Sequence, residues 1–147
     1  MKESRNGVAG NKLRTYCKFK TEWGRERYLG IVADKKRRLL TRFRIGISPL
    51  RIETGRYEGM PSEERICQCC ESGQIENELH MFSECPIYNN IRQVLRNVLV
   101  KEQCKYALRN GENFLIECMR ARERSVVLAV AEYVFEAFKL RASLLCM

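Results

Sequence analysis

Ile87, Ile91, Val94, Leu95 and Val98 fall at i, i+4, i+7, i+8 and i+11, the spacing that puts apolar side chains on one helical face. Pro86 suits the first turn of that helix, where a backbone N–H has no intrahelical partner to lose. A longer helix is predicted from about Ser125 to Leu140, with Val127, Val130, Val134 and Phe138 on one side, and a weaker one around Phe114 to Met119. Upstream, Asp34 is the predicted N-cap of "DKKRRLLTRFRIG", whose Leu39, Leu40 and Phe43 share a side and whose Gly46 ends the run. From Asn11, the residues Leu13, Tyr16, Cys17 and Lys20 recur at helical spacing, Gly24 interrupts, and Tyr28, Leu29 and Val32 follow. Between Ile47 and Met60, "ISPLRIETGRYEGM" mixes one proline, two glycines and a short apolar alternation, which reads as an extended connector with turns.

These stripes predict a mostly α fold: residues 11–147 as one small helical domain built around a metal-binding segment at 61–90, with an extended connector before it. Residues 1–10 read as a frayed, disordered tail. The 147 residues, 45% of them hydrophobic, suffice for one modest core. The longest apolar run, Val126 to Ala131, stops at Glu132, far short of a membrane span. Met1 to Gly10 contains no apolar h-region, so the expected location is intracellular, nuclear or cytoplasmic. In such a reducing compartment, eight cysteines point to metal ligation rather than disulfides.

The stretch "CQCCESGQIENELHMFSEC" holds four of those cysteines and the only histidine. Cys67 and Cys70 form a C-x2-C pair and His80 with Cys85 forms H-x4-C, a spacing used by structural zinc sites. Gly73 supplies a left-handed bend to reverse the chain, and Asn77 is positioned to cap a short helix that carries His80. A regular helix would leave His80 and Cys85 about 140° apart. Cys85 precedes Pro86, however, and a residue before proline is pushed out of the α region, so the helix should break there and return the sulfur toward His80. Cys69 is left over, because a C-x-C pair strains to present both sulfurs to one ion. Cys17, Cys104, Cys118 and Cys146 sit singly in apolar helical patterns and read as packing residues. Four protein ligands leave no open position for water or substrate, so the zinc role is structural.

Charge adds a second theme. Twenty-seven basic against 18 acidic residues leave +9, a surplus that attracts phosphate polyanions or an anionic membrane surface, and charge alone does not choose between them. Lys35, Arg38 and Arg42 line up along one helix, and Arg51 and Arg56 follow shortly after. A solvated charged face explains many such runs; the functional alternative is a phosphate-tracking surface, with Tyr16, Phe19, Trp23 and Tyr57 as possible base-stacking groups. Among the acids only Asp34 is aspartate, and no paired carboxylates, phosphate-binding loop or nucleophile elbow is present, so catalysis is not expected.

"NKLRTYCKFKTEWG", "YLGIVADKKRRLLTRFRIG", "LRIETGRYEGMPSEERICQCC", "IENELHMFSECPIYNNIR" and "VAEYVFEAFKLR" together resemble the C-terminal, zinc-binding segment of reverse-transcriptase polyproteins from animal non-LTR retrotransposons. The resemblance runs from about Asn11 to Arg141 and implies Cys67, Cys70, His80 and Cys85 as zinc ligands. It implies a segment that helps a polymerase or endonuclease engage RNA or target DNA, although the palm with its tyrosine and paired aspartates is missing here and Cys69 is an addition. The expected function is a non-catalytic, zinc-stabilised nucleic-acid-binding module. The alternatives are a protein–protein interaction module, with an upstream reverse-transcriptase domain or another protein as partner, and a fragment of an RNA-directed DNA polymerase inactive on its own.

Overall fold

A computed structural model describes residues 13–146; the predicted tail at 1–10 lies outside the described residues. The chain is mostly helical, with α1 at Tyr16–Phe19, α2 at Tyr28–Ile31, α3 at Asp34–Arg44, α4 at Arg51–Tyr57, α5 at Asn89–Lys101, α6 at Gly111–Arg120 and α7 at Arg124–Leu145. Among the described residues there is no strand, only one isolated antiparallel bridge between Ile66 and Ile75. No helix among them is long and apolar enough to cross a membrane.

The last helix organises the core. Its buried residues include the predicted Val127, Val130, Val134 and Phe138, but also Val126, Ala131, Tyr133, Ala137 and Arg141. At 100° per residue this set spans an arc of about 160°, wider than a single contact face needs. The width reflects two partners, since α7 packs against both α5 and α3. On α5 the face is rotated from the predicted stripe. Tyr88, Arg92, Leu95 and Leu99 are buried, whereas Val94 is 63% exposed. Leu95 is common to both, and Ile87, Ile91 and Val98 pack at the edge of this face, but the apolar count could not know that a buried arginine belongs to it.

Other boundaries differ for identifiable reasons. The predicted N-cap Asp34 is instead the first residue of α3, with Ala33 at the cap position. Its carboxylate accepts from Arg37 and Arg38, each at 2.9 Å. Leu13 is exposed and α1 shrinks to four residues. Cys17 and Cys146 are exposed and Cys104 only half-buried, so of the four cysteines expected to pack, Cys118 alone is fully buried.

The largest correction is at 47–60, expected to be extended but containing helix α4. Seven residues with an internal glycine make a marginal helix by propensity. Its N-terminus is capped from a distance: the Arg51 N–H donates to Glu76 Oε1 at 2.8 Å and the Ile52 N–H to the Glu76 carbonyl at 3.0 Å. Two of the orphan donors of a helix start are thus satisfied by a residue 25 positions away. Gly55 then lets the Arg65 stem lie flat on the helix, since a Cβ there would sit 2.6 Å from Arg65 Cγ. Arg65 donates to the carbonyls of Ile52 and Met60, which fastens α4 to the chain entering the cysteines.

Candidate metal centre

A tight antiparallel turn around one bridge carries the first pair of candidate ligands. The Cys67 N–H donates to the Gln74 carbonyl at 2.9 Å and the Glu76 N–H to the Arg65 carbonyl at 2.9 Å, bracketing the Ile66–Ile75 bridge. Gly73 sits at φ 73°, the left-handed bend expected there, and closes the turn. At its tip the Cys69 N–H points to Cys67 Sγ at 3.4 Å, which turns the knuckle so that Cys67 and Cys70 face the same side.

The second pair comes from a capped helical turn. Asn77 Oδ1 accepts from the His80 N–H at 2.8 Å, as predicted for a cap. The 140° problem between His80 and Cys85 is solved by an extra residue per turn, because His80–Glu84 winds as a π-helix and the Cys85 N–H donates to the His80 carbonyl. An i to i+5 closure stacks residues five apart, so Cys85 returns to the His80 side. Cys85 is itself extended, at φ −61° and ψ 122°, and the pre-proline break is where the sequence placed it.

The outcome is one cluster. Cys67, Cys70 and Cys85 Sγ and a ring nitrogen of His80 all lie within 4.8 Å of one another. Cys70 Sγ is 3.4 Å from His80 Nε2. Cys67, His80 and Cys85 are buried and Cys70 is half-buried. Three soft thiolates and an imidazole, closing from two sides on one point, can hold a metal ion. A second grouping of Cys67, Cys69 and Glu76 is equally tight. Its carboxylate is already taken, however, with Arg141 Nε and Nη2 donating to the two Glu76 oxygens at 2.8 Å each, so Cys69 stays outside the ligand set.

The ligand side chains share protons unevenly. The Cys67 thiol is pulled down to about 3, first by the hydrogen bond from Cys85, against burial, with His80 and the Cys69 and Cys70 N–H groups adding to the pull. Cys85 is pushed up by donating to Cys67 and by burial. For His80 burial acts downward, but the sulfurs of Cys67 and Cys70 outweigh it and hold the ring above its ordinary value. Metal ligation needs the deprotonated forms. Capture must therefore displace protons, from Cys85 above all, and acid opposes it. A metal titration in weak buffer with a pH indicator should show proton release, with apparent affinity rising about tenfold per pH unit for each proton displaced.

Four residues that the sequence did not single out hold this centre in place. Glu76 joins the antiparallel turn to α4 and, through Arg141, to α7. Glu78 is fully buried and accepts from Arg14 and Thr15 at 2.7 Å each, tying in the segment before α1. Arg92 donates to the carbonyls of Phe82, Met81 and Cys85 and to Asn89 Oδ1. Tyr133 Oη also donates toward the Met81 and Phe82 carbonyls. For Arg92 and for Arg141, the partner of Glu76, the available signal was a charge in register with apolar neighbours, Leu95 and Leu99 in one case and Val134 and Phe138 in the other.

The predicted basic residues divide. Lys35, Arg38 and Arg42 lie exposed along the outer side of α3. Arg51 forms a forked pair with Glu58 at 3.2 and 2.9 Å, and Arg56 pairs with the buried Glu53 at 2.9 Å, so both are engaged internally. Of the candidate stacking groups, Phe19 is buried, Tyr16 half-buried, and Tyr57 and Trp23 are exposed. The chain matches no protein-family model, no curated protein and no solved structure.

Proposed function

We propose that the chain is a non-catalytic, zinc-stabilised module that binds RNA or DNA through its basic surface. The metal part is supported by the donor set: three sulfurs and one nitrogen suit tetrahedral zinc, for which edges of roughly 3.5 to 3.8 Å follow from metal–ligand distances of about 2.3 and 2.0 Å. The 3.4 Å separation of Cys70 Sγ and His80 Nε2 fits such an edge. With four protein ligands the ion has no vacant position, which is why its role is to hold the fold rather than to activate water.

The observation that carries the binding role is the row of Lys35, Arg38 and Arg42, left on the solvent side of α3 while Arg51 and Arg56 are withdrawn into pairs. The Arg38–Asp34 contact does not remove Arg38 from use, because exposed pairs are worth about 0–1 kcal/mol and yield to a phosphate. This is the role implied by the resemblance to retrotransposon reverse-transcriptase tails, as a chain acting beside a catalytic domain in a reducing compartment. A partner-protein reading is favoured by one observation, the exposed Val94, Val100 and Tyr106.

Salt decides between them. Duplex binding should weaken with a log–log slope of about 0.9 per neutralised phosphate, and Lys35→Gln/Arg38→Gln/Arg42→Gln should lower that slope by about 2 to 3. Salt-independent binding of a protein, unaffected by the triple substitution, would replace this reading with the partner surface.

A further inference from the structure

We infer a second, separate binding site: a cleft between the loop joining α1 to α2 and the loop joining α6 to α7, which takes single-stranded nucleic acid by stacking a base on Trp23. The inference rests on the nucleic-acid reading above but not on the α3 row.

The cleft encloses about 670 Å³, within the 300–1,000 Å³ range of small-ligand sites. Segment 19–31 forms one wall and segment 118–130 the other, with Leu40 and Arg44 of α3 at the base. Arg27 Nε donates to the Arg122 carbonyl at 2.6 Å and ties the two walls together. At 100° per residue, Leu40 and Arg44 point nearly opposite to Lys35, Arg38 and Arg42, so the cleft and the row occupy different sides of α3.

Its charge is lopsided. Seven basic side chains and two glutamates line it. Of those two, Glu26 is already paired, with Arg44 at 3.1 Å and Lys20 at 3.3 Å. Arg25, Arg120, Arg122 and Arg124 are exposed, and their side chains have no acidic partner among the described residues. The first turn of α7 adds to the potential: it contains Arg124 and no acid, the reverse of what a helix dipole favours. Arg44 is 4% exposed, yet its Nε has no hydrogen-bond partner. Arg27 and Arg44 are committed to the fold, Arg44 through the Met119 carbonyl, Glu26 and the faces of Phe19 and Tyr28, whereas the four exposed arginines are left for an incoming polyanion.

Trp23 selects among polyanions. It is 104% exposed, on a loop turned by Gly24 at φ 133°, with its whole ring in solvent at the mouth of the cleft. Burial is where an indole is most useful, so a fully exposed one beside unpaired arginines is suited to a ligand that brings its own π-face. A single strand offers unstacked bases and flanking phosphates together; a duplex turns its bases inward, and a run of carboxylates such as polyglutamate has no π-face.

Trp23 is the chain's only tryptophan, so its fluorescence reports this site alone. Titrating the zinc-loaded chain with oligo(dT) and oligo(U) should quench it, whereas a blunt duplex, heparin and polyglutamate should not. Trp23→Ala should weaken oligonucleotide binding about tenfold or more, read by anisotropy of a labelled strand. Arg25→Gln/Arg122→Gln/Arg124→Gln should lower the single-strand salt slope by about 2, with zinc content and helicity unchanged. Single-strand binding without quenching, or equal quenching by heparin, would overturn the cleft and leave the nucleic-acid reading standing. Absence of binding to any nucleic acid would overturn both.

Discussion

Stripping the metal from Cys67, Cys70, His80 and Cys85 is expected to unfold the middle of the protein and to loosen the helical core around it. The apparent binding free energy of a structural zinc ion is about 10–16 kcal/mol, against a stability of about 5–15 kcal/mol for a whole domain. Segment 61–85 has little regular backbone of its own, one isolated bridge, a 3-10 turn at Ser62–Glu64 and a π-turn, so its shape depends heavily on what the four side chains hold. The loss would not stay local. Phe82, in the π-turn, sits at the centre of the aromatic core, 5.9 Å from Phe43, 5.1 Å from Phe114 and 4.9 Å from Tyr133 between ring centroids. Purified protein should carry one zinc per chain. A strong chelator should release it together with most helical circular dichroism, and re-addition should restore both. Cys70→Ser and His80→Ala should mimic the chelator, while Cys69→Ser should keep full zinc occupancy. Retention of the native spectrum after complete metal removal would show that packing alone holds the segment.

What the sequence made legible, and what it did not, follows from the range of each interaction. The four clustered side chains could be read as a candidate metal site because their spacing is local, and so could the bend at Gly73 and the break before Pro86, which depend on one or two residues. The π-turn was hidden: the sequence posed the angular conflict between His80 and Cys85, but its resolution depends on carbonyl partners from α5 and α7. Helix α4 was hidden for the same kind of reason, its start being capped by Glu76 from across the chain. Trp23 was noticed only as an aromatic near basic residues. Its cleft is built by the loop between α6 and α7, about 100 residues downstream, and no local pattern brings those arginines to it. The sequence likewise counted Arg51 and Arg56 as free charge, because the placement of Glu58 and Glu53 beside them depends on the unexpected helix.

Arg92→Met should cost about 3–5 kcal/mol, the largest single effect expected outside the ligands themselves. The last carbonyls of the turn have no helical donor further along the chain, because it breaks at Cys85 before Pro86, and here the residues that carry them are buried. Arg92, itself 3% exposed, answers the Phe82 carbonyl at 2.9 Å, the Cys85 carbonyl at 2.8 Å and the Met81 carbonyl at 3.2 Å with one guanidinium. Methionine fills similar space but donates nothing, and each buried acceptor left alone costs about 1–3 kcal/mol. Tyr133 still reaches two of the three, which keeps the total below a simple sum. The thermal midpoint should fall by roughly 10 °C. Because Arg92 grips the backbone of a ligand residue, zinc affinity measured by chelator competition should fall about 10- to 100-fold as well. Arg92→Lys should recover little, since an ammonium lacks the planar fork that spans several carbonyls. Tyr133→Phe, which leaves the guanidinium in place, should cost only about 1 kcal/mol and hardly alter zinc binding. A loss of stability in Arg92→Met with unchanged zinc affinity would mean that the arginine supports the core alone, and that the π-turn holds its shape once the metal is bound.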